Sequence, residues 1–251
     1  MQTFLIIGSL MVASCLGASS NLAVEIVGGQ NAKIQDYPYQ LSLEVKGKHT
    51  CGASIVTNDY AVTAAHCVYG HPEIELQLRS GTSFREIGGY LHPFDSYNVH
   101  PKYKDGHNDY DIAVAKVRWQ HEFKYQMQPV PLASENPRIG TLGVVTGYGF
   151  VNQDGHVLAA QLQQLQVPIV SNDLCKQVAQ GSLTPNMICA GISGGEGACF
   201  ADSGGPLVVN GALVGVVSFA LDKCDKPVPA VYADIPAMLE WIRANRPTAR
   251  I

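Results

Sequence analysis

Three short segments carry residue types that could act together. Thr63-Ala64-Ala65-His66-Cys67 sets a histidine among small residues and a half-cystine candidate. Asp111-Ile112-Ala113-Val114 puts an aspartate at the mouth of an apolar strand. Ala201-Asp202-Ser203-Gly204-Gly205-Pro206 sets a serine among glycines, where backbone can turn sharply and approach a ligand. Each segment alone has an ordinary reading as a surface histidine, a strand cap or a loop. Together, in the order His, Asp, Ser, they fit a known arrangement for activating a hydroxyl. The Ser203 hydroxyl is a weak nucleophile unaided, His66 can take its proton, and Asp111 can fix the imidazole tautomer and support its positive form.

These segments need elements to hold them, and the sequence reads as mostly strand. Residues 39–45 alternate apolar and polar side chains, as a half-buried strand does. Residues 54–63, 111–117, 143–146, 162–167 and 213–219 also read as strands, separated by Gly, Pro, Asn and Asp. Ile235, Met238, Leu239 and Ile242 follow helical spacing near the C-terminus, with Pro247 beyond. A shorter helix over residues 171–179 would take Ser171 as its cap. No repeat of 20–50 residues, low-complexity tract or linker interrupts the chain.

The 251 residues are 46% hydrophobic and only 15% charged, enough to bury a substantial core and contrary to extended disorder. A net charge of -4 argues against nucleic acid as a partner. Residues 3–16 are apolar or small and are followed by Gly17-Ala18-Ser19-Ser20, the pattern of a secretory signal peptide lacking its usual basic start. The run is too short for a bilayer anchor, so an extracellular protein without a membrane span is expected. The expected division is a signal over residues 1–19, a propeptide over 20–25 and one domain over 26–251. Of seven cysteines, Cys15 lies in the signal. The six remaining, Cys51, Cys67, Cys175, Cys189, Cys199 and Cys224, suit a disulfide framework in an oxidising compartment, with pairing left open by their spacing. No C-x-x-C pair is present and His66-Cys67 are adjacent, so no metal site is expected.

From Ile26 to about Arg246 the sequence resembles the chymotrypsin/trypsin family. The supporting segments are Ile26-Val27-Gly28-Gly29, Pro38-Tyr39-Gln40-Leu41-Ser42-Leu43, the three segments above, Thr146-Gly147-Tyr148-Gly149, and Asn186-Met187-Ile188-Cys189-Ala190-Gly191. Within the family the resemblance is to digestive proteases of arthropods, mites in particular, a group that includes inactive paralogues. The resemblance implies an all-β fold of two packed six-stranded antiparallel barrels with a C-terminal helix, the active site in the cleft between them. It implies the pairings Cys51–Cys67, Cys175–Cys189 and Cys199–Cys224, and a cofactor-free monomer acting on protein or peptide substrates. It casts His66, Asp111 and Ser203 as the catalytic triad and the N–H groups of Ala201 and Ser203 as the oxyanion hole. It further implies that cutting after Glu25 frees the Ile26 ammonium to pair with Asp202 and order the site, so an activating protease is a partner, as are protein inhibitors.

Three residues or groups depart from the family pattern. Glu25 replaces a basic residue at the activation site. Ala201 stands where glycine is usual in the oxyanion hole. Matched to the family pattern, the resemblance implies Gly197 at the base of the specificity pocket, Ala220 and Ala230 on its walls and Phe200 near its rim, so no aspartate would await a Lys or Arg side chain. A preference for small or medium apolar residues follows. These departures keep an alternative open, a protease-fold protein that binds target proteins with little turnover.

Overall fold

The computed structural model describes residues 29–119, 122–149, 157–178, 183–191, 203–220 and 229–245. A short strand β1 (Gln30–Asn31) leads into the first barrel, built from β2 (Gln40–Val45), β3 (Lys48–Ile55), β4 (Tyr60–Thr63), β5 (Leu76–Ser80), β6 (Tyr90–Val99) and β7 (Ala113–Val117). These strands close in the order β2-β3-β4-β7-β6-β5, every pair antiparallel. The second half contains β8 (Leu142–Gly147), β9 (Gln163–Val170), α1 (Asn172–Val178), β10 (Met187–Ala190), β11 (Pro206–Val209), β12 (Ala212–Ala220), β13 (Ala230–Asp234) and α2 (Ile235–Ala244). Its six strands follow the order β9-β10-β13-β12-β11-β8, and pairing of β8 with β9 closes a second antiparallel barrel. β1 attaches to β9 as an additional edge strand.

The alternation in residues 39–45 turns Leu41 and Leu43 into the first barrel, where neither has any exposure. Residues 54–63, read from sequence as one strand, are instead the end of β3, a turn and the whole of β4. Asn58-Asp59 breaks the run, and the Thr57 hydroxyl donates to Asp59 Oδ1 at 2.5 Å to close the turn. Strand β6 was not legible, because Pro93, Asp95 and Asn98 interrupt its apolar pattern and half its residues face solvent. The terminal helix buries the four residues its spacing selects, Ile235, Met238, Leu239 and Ile242. Asp234 caps it by accepting from the Ala237 N–H at 3.0 Å. Ser171 likewise caps α1 through the Leu174 N–H at 3.1 Å.

Candidate active site

His66 lies in a single 3₁₀ turn, Ala65–Cys67, directly after β4. Ala64 and Ala65 are wholly buried, and Cys67 is bonded to Cys51 on β3, which pins the turn to the barrel wall. The histidine side chain is left about one-third exposed, at 35%, whereas Asp111 is 2% exposed beneath it. Asp111 comes from the segment entering β7, the strand paired with β4, so the sheet itself brings the two residues together.

Among the described residues, three donors hold the Asp111 carboxylate. Oδ2 accepts from His66 Nδ1 at 2.7 Å, and Oδ1 accepts from the His66 backbone N–H at 3.0 Å. The Ser218 hydroxyl donates to Oδ2 at 2.5 Å. With Nδ1 held as the donor, Nε2 is the imidazole nitrogen left to accept a proton from the cleft. Ser218 lies on β12, so the second barrel also reaches the aspartate. Ser218 is not legible in the sequence, because one hydroxyl in the apolar run Val216-Val217-Ser218-Phe219 gives no periodic signal. Beside the site, burial and the nearby Asp111 carboxylate push the Tyr103 phenol up to about 12, so it stays neutral.

Ser203 begins the turn before β11 and is keyed into both barrels. Its carbonyl accepts from the Gly52 N–H of β3 at 2.7 Å. The next N–H, from Gly204, donates to the Val217 carbonyl of β12 at 2.7 Å. Gly204 has φ +80°, and a Cβ there would lie 2.3 Å from Thr63 Oγ1 and 2.4 Å from the Gly52 carbonyl oxygen. A Cβ on Gly52 would meet Gly205 Cα at 2.7 Å. Gly52 and the two glycines after Ser203 thus permit close contact between the serine turn and strands β3 and β4, the latter leading into His66.

Of the expected pocket residues, Ala220 and Ala230 are paired directly across β12 and β13, the first half-buried and the second buried. Gly197, Phe200, Ala201, Asp202, Cys199, Cys224, Glu25 and Ile26 lie outside the described residues. A second disulfide joins Cys175 on α1 to Cys189 on β10. Cys51, His66 and Cys67 bring two sulfurs and an imidazole together, but those sulfurs are bonded to each other and offer no thiolate to a metal.

Comparison with known proteins gives the same result. The family model described as Trypsin matches residues 26–242. Trypsin delta of Drosophila melanogaster is 37% identical over 232 residues, covering 91% of each chain. Hypodermin-A of Hypoderma lineatum is 35% identical over 233 residues, 92% of this chain and 91% of its own. Among solved structures, neuropsin, a serine protease expressed in the limbic system of mouse brain, superposes with a TM-score of 0.82 at 28% identity, covering 88% of this chain and 100% of its own. Two closed antiparallel barrels and a match running through nearly the whole of both make this chain a member of the trypsin family, a serine endopeptidase.

Proposed function

We propose that the protein is a secreted serine endopeptidase, made as a zymogen, that cleaves after small or medium apolar residues through an acyl-enzyme at Ser203. The observation that carries this reading is the His66–Asp111 contact of 2.7 Å beside a serine turn keyed into both barrels. Ser203 Oγ attacks the peptide carbonyl as its proton passes to His66 Nε2. The N–H groups of Ser203 and Ala201 receive the resulting oxyanion. Collapse breaks the C–N bond, and the amine leaves with the proton from His66. Water, deprotonated by the same imidazole, then hydrolyses the ester and restores the serine. Asp111 holds the ring throughout.

Secretion is supported by the apolar run before the small-residue segment Gly17-Ala18-Ser19-Ser20 and by the disulfides. The zymogen reading rests on Ile26-Val27-Gly28-Gly29 together with Asp202. Because Glu25 precedes the cut, activation calls for a protease of other than trypsin specificity or another trimming route. Apolar preference follows from the alanines at 220 and 230 and from Gly197, which offers no counter-charge to a basic side chain. The working unit is a monomer that meets its substrates and protein inhibitors in the inter-barrel cleft.

The test is active-site titration of protein cut after Glu25, using a fluorophosphonate with a Ser203→Ala control. One label per molecule, absent in the control, is expected. Folded protein with a confirmed Ile26 terminus that takes no label would instead support the binding-protein alternative. Profiling the cut enzyme on a peptide library should show cleavage after Ala, Val or Leu. Fast cleavage after Arg or Lys would overturn the pocket assignment.

A further inference from the structure

The two residues before Asp111 are held unusually firmly. Tyr110 has φ +54°, a left-handed conformation uncommon for any residue with a Cβ and more so for a bulky one. Its ring lies flat on His100, with centroids 4.5 Å apart and planes 15° from parallel. Trp241 of α2 also packs on His100, with ring centroids 4.7 Å apart and planes tilted by 53°. Lys102 Nζ sits over the Tyr110 ring at 5.1 Å. The Lys102 N–H donates to His100 Nδ1 at 3.2 Å, so that nitrogen is an acceptor. Burial, helped by the Lys102 charge, holds the His100 imidazole below its ordinary range, consistent with a neutral ring in the stack.

Asp109 makes the other half of the arrangement. Its Oδ1 accepts from the Tyr110 N–H at 3.0 Å, from the Thr184 hydroxyl at 2.7 Å and from Asn186 Nδ2 at 3.0 Å. Thr184 and Asn186 lie just before β10, in the second barrel. The Ile112 N–H then bonds back to the Tyr110 carbonyl at 2.8 Å, and the His100 N–H to the Ile112 carbonyl at 3.1 Å. The turn carrying Asp111 is therefore clamped on one side to α2 and on the other to the second barrel.

We propose that Asp109 and Tyr110 are positioning residues, which fix the backbone of Asp111 so that its carboxylate meets His66 in the reactive geometry. A left-handed tyrosine persists only where its surroundings hold it, and strain of this kind gathers where geometry matters to function. Neither residue touches the reacting atoms. Both act through Asp111, so the proposal rests on the triad reading above. Displacing a catalytic group by about 1 Å costs about 10²-fold in rate, which sets the scale of the effect.

The test compares steady-state kinetics of the activated enzyme and its variants on a peptide substrate. Tyr110→Ala, which keeps a Cβ but removes the ring, should lower kcat about 10- to 100-fold with KM within about twofold. Tyr110→Phe keeps the stack and should restore kcat to near the parent value. Asp109→Ala should repeat the loss of kcat, and His100→Ala should do so through the other face of the stack. If Tyr110→Ala fails to fold, Tyr110→Gly, free to adopt positive φ, reports the same loss. Asp111→Ala is the control for the triad. If it leaves kcat intact, the triad assignment itself falls. If it abolishes turnover while folded Tyr110→Ala or Tyr110→Gly keeps kcat within about twofold of the parent, the positioning proposal is overturned. A change confined to KM or to thermal midpoint overturns it equally.

Discussion

Gly204 shows how much of the site depends on a missing side chain. Its positive φ and the Cβ clashes with Thr63 and Gly52 mean that alanine there opposes both backbone and packing. The backbone component alone is about 1–2 kcal/mol. Gly204→Ala is expected to destabilise by at least about 2 kcal/mol in urea unfolding and to abolish fluorophosphonate labelling, because the serine turn must lift off β3. Ser218 makes a different kind of contribution. Its hydroxyl is one of the donors on the buried Asp111 carboxylate, and a hydrogen bond to a charged group is worth about 1.5–3 kcal/mol. Ser218→Ala leaves both His66 bonds in place, so the expected result is a loss of about tenfold in kcat/KM with the fold retained. Full activity in that variant would mean that His66 alone orients the carboxylate.

At the level of elements, α2 has a pH dependence whose sign can be worked out. Asp234 is 2% exposed, and burial raises its carboxyl above the ordinary range, partly offset by bonds from the Ala237 N–H and Asn136 Nδ2. A folded-state value above the unfolded one means that the fold favours the neutral acid. That contribution is fully present below the unfolded value and is lost as pH rises through the folded one. Asn remains a good N-cap and carries no charge to desolvate. The stability of Asp234→Asn relative to the parent should therefore increase as pH rises through the carboxylate range and level off above it. Chemical denaturation at a series of pH values reads this directly, and parallel curves would rule the mechanism out. The same helix shows what sequence conveys well, since its cap, its apolar spacing and its buried face were all readable from local pattern. The hairpin at residues 54–63 was missed because apolar residues on both sides hid a turn signalled only by Asn58-Asp59. The candidate residues His66, Asp111 and Ser203 stand out in the sequence through their immediate neighbours. Ser218, Asp109, Thr184 and Asn186 do not, because each acts through a contact between residues 75 or more positions apart.

For the molecule as a whole, the question is whether two closed barrels behave as two folding units or one. Their interface is not a simple greasy surface. Ile235, Met238 and Ile242 of α2 and Leu213 and Val216 of β12 share one apolar cluster with Leu41, Leu43 and Val114 of the first barrel. Polar bonds cross it as well: Gly52 to Ser203, Ser218 to Asp111, and the Thr146 hydroxyl of β8 to Gln40 Oε1 of β2 at 2.6 Å, both partners buried. A shared core and satisfied buried polar groups at the seam couple the halves, since separating them exposes apolar surface from both at once. A single unfolding transition is expected, with fluorophosphonate reactivity disappearing at the same denaturant concentration as the spectroscopic signal. Thr146→Val keeps the shape but leaves Gln40 Oε1 buried without its donor, at a cost of about 1–3 kcal/mol. If the barrels are coupled, this variant moves the whole transition to lower denaturant with its slope unchanged. If it splits the curve in two, or shifts only the second barrel's signal, the barrels fold independently, and the proposed triad, drawn from both, is only as stable as the contact between them.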